Sequence, residues 1–381
     1  MSKNFQNLKW MAYCFLKFIV RGHADQITKH PNNILIFQSS SNVGDTTCIT
    51  PMFRAVKEKY PNCKLYVLCK DKPAEVVAQN PYIDEVVIHK NISQTRVFLK
   101  NKQIDFACII NASTEALNTL YLSGIPAISA PFILNYEDVH PITYNLIRKF
   151  VISIPFSIKE YMPSQYLRLL EPVGINTNNT KLELYYSKQS EVKIENLFRQ
   201  YNIDPNFDRI IAIAPGGSLY LRWWASEKYS ALIQYVRQNY RAKVFIIGAG
   251  SDSEPITKIL KSLPAASGVV SLLNQPIDEF KAFLARTNLV IGNDSAPIVM
   301  AEALNVPTLM IVGPTDEMAN HPPSSDLHRI VVAPNRGKPT MYAFHWEGYD
   351  LHEAKRQIDA VSLEMVTSEI DKIMESLTPS K

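Results

Sequence analysis

The stretch GNDSAPIVMAEALNVPTLMIVGPTD, residues 292–316, has the composition of a strand end, a helix and a second strand. Residues 289–291 before it are apolar, and residues 308–312 form another mostly apolar run. Between the two runs, Asp294 and Ser295 occupy the place where a helix would begin. An acid and a hydroxyl there indicate either ordinary helix capping or a helix N-terminus that faces a ligand.

The rest of the chain repeats this alternation of short apolar runs and helical patterns. The other strand candidates are residues 34–37, 64–69, 83–89, 106–110, 210–214, 244–247 and 269–273. Such alternation is typical of parallel sheets with right-handed crossovers. The alternation lapses between about residues 131 and 207. We therefore predict an α/β chain with an N-terminal extension (1–30) and two doubly wound domains (31–187, with the linker, and 188–381).

Size and composition agree with a soluble two-domain protein. The chain has 381 residues, which is long for one hydrophobic core. It is 46% hydrophobic and 20% charged, and its net charge of +4 gives no indication of a nucleic-acid partner. The five cysteines all lie in the first third and form no CxxC pair. They predict neither a disulfide framework nor a zinc site, and they favour a reducing cytoplasm.

The N-terminal segment LKWMAYCFLKFIVRG, residues 8–22, is amphipathic. Its apolar stretch is well below the roughly 20 residues that span a bilayer. On a helix, Lys9, Lys17 and Arg21 lie on one side and aromatic and aliphatic residues cover much of the rest. This pattern is typical of a helix that lies on a membrane surface. A helix packed against the protein's own surface fits the pattern equally well.

Four loops follow predicted strands, and ligands of such sheets bind at the carboxyl ends of the strands. They are SSSNVGDTT (39–47), APGGSLYLRWW (214–224), GAGSDSE (248–254) and GNDSAP (292–297). The third loop has the first two glycines of a dinucleotide fingerprint. However, Ser253 replaces the third glycine and no acid ends a strand about 20 residues later, so NAD binding is not favoured.

Several common sites are missing from the sequence. It contains no GxxxxGK[ST] motif for a phosphate loop and no D-x-D pair for a metal-held nucleotide diphosphate. The histidines are scattered without the spacing of metal ligands, so we interpret His89, His321, His345 and His352 as structural or surface residues. No metal site is predicted.

Two stretches resemble glycosyltransferase family 9. Residues 34–87, ILIFQSSSNVGDTTCITPMFRAVKEKYPNCKLYVLCKDKPAEVVAQNPYIDEVV, are similar to the opening of that family, and residues 292–316 to its signature D-S-G-P-x-H-x-A-x-A-L followed by G-P-T-D. The resemblance implies a GT-B fold, in which two Rossmann-like domains face a cleft. The N-terminal domain would then bind the acceptor and the C-terminal domain the nucleotide sugar.

The resemblance also implies residues for the donor diphosphate. Asp294 corresponds to the signature acid, Ser295 to the hydroxyl position and Ala296 to the usual glycine. Because an acid cannot be a phosphate ligand, we interpret Asp294 as a cap of its own helix that also accepts hydrogen bonds from ligand hydroxyls, or as a cap alone. Arg222 stands where the family has a lysine before xW, and its charge can stabilise the leaving diphosphate without a metal. A surface arginine packed on the neighbouring tryptophans is the alternative.

The remaining implied residues follow from position. Gly217 and Ser218 would lie near the phosphates, and Gln275 near the base. Asp252 would bond the ribose hydroxyls, or would be an exposed helix-capping acid. Asp45 is the candidate base that accepts the proton of the acceptor hydroxyl, and it could also be the N-cap of the helix beginning at Thr46.

The chain departs from the family pattern at three positions. Val299 stands in place of the signature histidine, Ala296 in place of the glycine, and Gln38 or Ser39 in place of a basic residue after the first strand. A basic residue there would suit an acidic acceptor such as a Kdo-containing lipid. These departures bear on the acceptor and the donor sugar more than on the fold.

The function implied is that of an inverting, metal-independent glycosyltransferase without a required cofactor. Heptose from ADP-heptose is the expected donor group and a lipopolysaccharide core or related glycolipid the expected acceptor. The alternatives are a GT-B transferase or epimerase that uses another nucleotide sugar, or a sugar-nucleotide-binding protein without turnover. We expect a cytoplasmic protein that contacts the inner face of the membrane through residues 8–22.

Overall fold

The computed structural model describes residues 3–135, 139–264, 268–317, 321, 325–342 and 350–377. His345 lies outside these residues. The chain divides into two compact units, Met1–Leu182 and Glu183–Lys381. Each contains one six-stranded sheet.

The N-terminal unit is a doubly wound parallel sheet with strand order β3-β2-β1-β4-β5-β6. The strands are β1 (Asn33–Gln38), β2 (Lys64–Cys69), β3 (Glu85–Ile88), β4 (Phe106–Ile109), β5 (Ala127–Ile133) and β6 (Ile152–Phe156). The helices are α1 (Lys3–Arg21), α2 (Val43–Cys48), α3 (Thr50–Lys59), α4 (Asp71–Val77), α5 (Ile92–Lys102), α6 (Thr114–Ser123), α7 (Ile142–Ile147) and α8 (Met162–Arg168). The order reverses between β1 and β4, where Ile36 pairs with Val67 on one side and Cys108 on the other.

The C-terminal unit repeats the same topology with strand order β12-β11-β10-β7-β8-β9. The strands are β7 (Ile210–Ala214), β8 (Lys243–Gly248), β9 (Val270–Leu273), β10 (Leu289–Asn293), β11 (Thr308–Val312) and β12 (His328–Val332). The helices are α9 (Lys188–Gln200), α10 (Ser226–Tyr240), α11 (Ser253–Ser262), α12 (Ile277–Leu284), α13 (Ala296–Ala303), α14 (Leu351–Asp359) and α15 (Leu363–Ser376). The prediction of doubly wound parallel sheets is confirmed.

The central strands of both sheets are buried along nearly their whole length. All residues of β7, β10 and β11 are buried, and so are five of the six residues of β1. Helices cover both faces of such a sheet, so its strands are continuous apolar runs rather than alternating ones. This is why the sequence pattern located these strands closely.

Three strands were not predicted. β6 lies in the region where the alternation lapses and β5 runs into its start, and both contain a proline, Pro131 and Pro155. β12 is an edge strand with mixed polarity and only one buried residue, Val331. Proline and polarity both weaken a strand pattern, and the pairing with a neighbouring strand compensates for them here.

Helix α1 packs against its own unit. Cys14 is fully buried, and Trp10, Met11 and Phe18 pack on the core that contains Tyr121. The Lys17 ammonium donates a hydrogen bond to the Leu122 carbonyl at 2.8 Å.

The Arg21 guanidinium likewise donates to the carbonyls of Tyr121 and Ile125 near the end of α6. These two cations neutralise the carbonyl end of a helix, contrary to their expected role at a membrane surface. None of the helices that the structure describes combines the length and the apolar composition that crossing a bilayer requires.

Candidate functional site

The carboxyl ends of β7 and β10 lie side by side where the strand order of the second sheet reverses. Open α/β sheets bind ligands at such a switch point. Gly292 is required there, because a Cβ at this position would lie 2.7 Å from the Ala214 carbonyl oxygen. The close approach brings the loop after Ala214 next to the loop after Asn293.

Asn293, the last residue of β10, holds these loops together. Its side chain is fully buried. Its amide donates to the Pro215 carbonyl at 2.7 Å, and its oxygen accepts from the Trp224 N–H at 3.1 Å and the Tyr229 hydroxyl at 2.9 Å. One buried amide thus fixes the backbone on both sides of residues 216–223.

Asp252 connects the same loop to the end of β8. Its carboxylate accepts hydrogen bonds from the backbone N–H of Gly217 at 3.0 Å and of Ala249 at 2.7 Å. The residue is buried, so the exposure expected in the capping alternative is wrong. Its place at a helix start agrees with that alternative, because Asp252 is the N-cap residue of α11 and its bond to Ala249 belongs to the preceding short 3-10 turn. A Cβ on Gly216 would lie 2.3 Å from the Asp252 Cγ, and Gly217 has φ +145°, which explains two glycines in succession.

Arg222 and Asp294 form an ion pair, with 3.0 Å between Arg222 Nη1 and Asp294 Oδ2. The Arg222 side chain is 23% exposed and the Asp294 side chain only 7%. Asp294 does not cap its helix, which corrects that expectation. The N-cap of α13 is Ser295, which makes no side-chain cap hydrogen bond, and its hydroxyl donates instead to the Asn293 carbonyl at 3.1 Å.

His321 contacts the other oxygen of Asp294, with Nε2 3.1 Å from Oδ1. Its Nδ1 lies 3.1 Å from a carboxylate oxygen of Glu302 on α13. Burial alone would lower the pKa of His321, but the Glu302 and Asp294 carboxylates raise it to about 10. His321 is therefore an imidazolium at neutral pH, and both ring nitrogens donate.

Asp294 is correspondingly held as a carboxylate. Burial opposes ionisation, but Arg222 and His321 outweigh it and keep the pKa of Asp294 well below its usual range. The site thus contains a buried row of alternating charges, Glu302, His321, Asp294 and Arg222, with Arg222 at its more exposed end.

The other predicted donor residues lie on neighbouring loops of this unit. Ser218 is exposed, and Ala296 is half-buried at the first position of α13. Gln275 is half-buried after β9, and its side-chain amide donates to the Leu273 carbonyl at 3.3 Å. All follow the carboxyl ends of strands in the same sheet.

Asp45 belongs to the N-terminal unit and follows β1 on helix α2. This helix begins at Val43 with Asn42 as its N-cap, so Asp45 is in the first turn and is not an N-cap for a helix at Thr46. The Asn42 side-chain amide donates to the Asp45 carboxylate at 3.0 Å. The aligned N–H groups of a first turn stabilise a negative charge there.

Gln38, one of the two residues that could stand in the place of the family's basic residue, is fully buried. Its side-chain amide lies 3.4 Å from the Thr46 hydroxyl, and its oxygen accepts from the Ser40 N–H at 3.3 Å. It shapes the loop that leads to Asp45.

Three residues of the C-terminal site were not predicted from the sequence, namely Asn293, Glu302 and His321. Asn293 directly precedes Asp294, and its position at the end of a strand is the sequence feature that could have identified it. His321 comes from the chain after β11, and nothing in its local sequence indicates the contact with Asp294. Among the residues that the structure describes, no group of three or more His, Cys, Asp or Glu side chains is arranged to hold a metal ion.

The chain resembles known proteins in sequence and in fold. A model described as glycosyltransferase family 9 (heptosyltransferase) matches residues 150–344. Lipopolysaccharide heptosyltransferase 3 of Escherichia coli (strain K12) is 21% identical over 351 residues, which cover 88% of this chain and 97% of that protein.

Two solved structures share the fold. The glycosyl transferase family 9 protein of Veillonella parvula DSM 2008 has a TM-score of 0.74 at 15% identity, covering 91% of this chain and 98% of that one. The E. coli ADP-heptose lps heptosyltransferase II has a TM-score of 0.71 at 18% identity, covering 91% of this chain and 100% of that one.

Proposed function

The chain belongs to glycosyltransferase family 9, and from this premise we propose that it transfers heptose from ADP-heptose to a lipopolysaccharide core or a related glycolipid. The relatives named for lipopolysaccharide and for ADP-heptose support this choice of acceptor and donor. The observation that carries the proposal is the Arg222–Asp294 pair at the switch point of the second sheet.

Arg222 supplies the charge that the reaction needs on the donor side. A glycosyl transfer from a nucleotide sugar releases a nucleoside diphosphate, and negative charge grows on it as the bond to the anomeric carbon breaks. A fixed guanidinium near that group stabilises the charge in the transition state. The N-terminal end of α13 adds backbone N–H groups that favour an anion.

Asp45 supplies the base in the proposed inverting mechanism. Its carboxylate accepts the proton of an acceptor hydroxyl while the hydroxyl oxygen attacks the anomeric carbon from the face opposite the leaving diphosphate. The products are the glycosylated acceptor with inverted configuration and ADP. Gly217, Ser218, Asp252, Gln275, Ser295 and Ala296 are the proposed contacts of the donor.

ADP is expected to raise the melting temperature of the protein more than UDP or GDP does at equal concentration. A ligand that binds only the folded state stabilises it by RT ln(1 + [L]/Kd), so at equal concentration the ligand that binds more tightly gives the larger shift. Differential scanning fluorimetry with the three nucleoside diphosphates measures the order directly. An equal or larger shift with UDP would contradict the ADP-sugar assignment, and transfer assays with ADP-heptose and core glycolipid test the complete reaction.

The outer face of α1 supports membrane contact for a glycolipid acceptor. Ile19 and Val20 are 81% and 89% exposed, and Leu16 beside them is also exposed. Helix α7, which packs on α1, exposes Ile142 as well. We propose that this apolar patch, residues Leu16, Ile19, Val20 and Ile142, rests on the lipid surface that carries the acceptor. The cytoplasmic location stays a prediction.

Changing Ile19 and Val20 together to glutamate should reduce binding to anionic liposomes by roughly tenfold or more, since each buried side chain of this size contributes about 1.5–3 kcal/mol. Liposome co-sedimentation measures the effect. Phe207→Glu is the matched control, because Phe207 is 88% exposed in the other unit. Unchanged lipid binding, together with a change of oligomeric state in light scattering, would assign the patch to self-association instead.

A further inference from the structure

Asp294 faces two cations, one on each carboxylate oxygen. Arg222 Nη1 lies 3.0 Å from Oδ2 and His321 Nε2 lies 3.1 Å from Oδ1. One negative charge is therefore shared by two positive partners. Either cation alone is enough to neutralise it.

His321, the more buried of the two cations, also contacts a second carboxylate, that of Glu302. The side chains of His321 and Glu302 are 1% and 4% exposed, and Glu302 contacts the ring on the side opposite Asp294. Among the described residues, the further charged or titratable groups near His321 are Arg222, beyond Asp294, and His328 on β12. Burial lowers the pKa of His328, so this neighbour is neutral at pH 7 and does not oppose the imidazolium strongly.

Arg222 is the more exposed of the two cations and is the one that a ligand can reach. Arg222 lies in a short 3-10 turn, Tyr220–Arg222, and keeps 23% of its side chain exposed. Its Nε is buried and has no hydrogen-bond partner within the described part of the chain. The guanidinium thus retains an unused donor.

We propose that His321, supported by Glu302, is a positioning residue that makes Arg222 available to the diphosphate. When Arg222 binds a phosphate oxygen and no longer pairs with Asp294, the His321 imidazolium still neutralises the Asp294 carboxylate. Without His321, the buried carboxylate would hold Arg222, since an uncompensated charge in the interior is costly. The inference rests on the proposed diphosphate-containing donor, and it adds His321 from outside the family signature and Glu302 from one of its variable positions.

The test measures the dissociation constants of ADP and of inorganic pyrophosphate by titration calorimetry. The main variant is Glu302→Gln with His321→Gln, which removes both buried charges and leaves two side chains that can still bond each other. We expect both ligands to bind about tenfold more weakly, within the range of couplings between linked sites. His328→Gln, a neighbouring histidine that contacts Thr308 rather than Asp294, is the control and should bind normally.

Adding Asp294→Asn to the main variant should restore pyrophosphate affinity to within about threefold of wild type, because no carboxylate then competes for Arg222. A merely structural role for His321 predicts the opposite, since a third buried substitution would weaken the site further. This rescue therefore separates positioning from general damage.

A pH series with Glu302→Gln alone gives an independent readout. In the wild type, the pKa of His321 is raised to about 10, so the ring stays charged between roughly pH 7 and 9 and adds no pH dependence to ADP binding there. Without the Glu302 charge the imidazolium loses its proton at lower pH, and the ADP affinity of the variant relative to wild type should fall as pH rises through this interval.

Different results would contradict the proposed function and the inference about His321. If neither ADP nor pyrophosphate binds the wild-type protein, the proposed function is wrong. If they bind the wild type and the double variant equally, or if Asp294→Asn gives no recovery, Arg222 does not need His321 and this inference is overturned.

Discussion

Asp45→Asn is expected to slow glycosyl transfer by roughly 10²- to 10⁴-fold while ADP binds with unchanged affinity. Asparagine has the shape of aspartate and can still bond to Asn42, which donates to Asp45 at 3.0 Å. It cannot accept the proton of the acceptor hydroxyl. The substitution therefore removes the proposed base and keeps the first turn of α2.

The measurement is the single-turnover rate with saturating donor and acceptor, accompanied by calorimetry with ADP. Asp71→Asn is a matched control, since Asp71 is also an acid in the first turn of a helix that follows a strand of the same sheet. Near wild-type turnover for Asp45→Asn would leave this residue as a stabiliser of the α2 N-terminus. The search for the base would then move to another residue.

Arg222→Ala is expected to impair both binding and chemistry. Loss of one group that stabilises the charge of a transition state costs on the order of 10²–10³ in turnover, and ADP should bind at least about tenfold more weakly. Folding should survive, because His321 still neutralises Asp294 at 3.1 Å. Steady-state kinetics, ADP calorimetry and the melting temperature measure the three effects.

Two further variants sharpen this result. Arg222→Lys keeps the charge without the planar fork and should lose less than alanine does. Arg199→Ala removes an exposed arginine that pairs with Glu195 on the surface of the same unit, and it should change nothing. If Arg222→Ala lowers turnover but leaves ADP affinity intact, Arg222 acts on something other than the diphosphate.

The fold class and the loops that carry the site follow from the amino-acid sequence alone. Buried parallel strands are continuous apolar runs, and this local signal is enough to locate β7, β8, β10 and β11. The loop residues after those strands are visible as well, because the residues that follow a strand in space also follow it in the chain. Position therefore draws attention to Asp294, whereas Arg222 is named from the resemblance to glycosyltransferase family 9.

The contacts among these residues depend on the tertiary structure. The residue pattern predicts helix capping for Asp294, whereas the folded chain pairs it with Arg222 and His321, which come from distant parts of the sequence. The pattern likewise fits either a membrane surface or the protein's own surface for the helix of Lys17 and Arg21, and in the folded chain both side chains donate to carbonyls of another helix.

The sequence predicts strands and loops but not the contacts of the site, because these depend on interactions over different distances along the chain. Hydrophobic periodicity and capping act within a few residues, so the sequence shows them. The partner of a buried charge is chosen by packing, which brings together side chains such as His321 and Glu302 from separate segments. β5, β6 and β12 illustrate the same limit, because neighbouring strands and not their own composition make them part of the sheets.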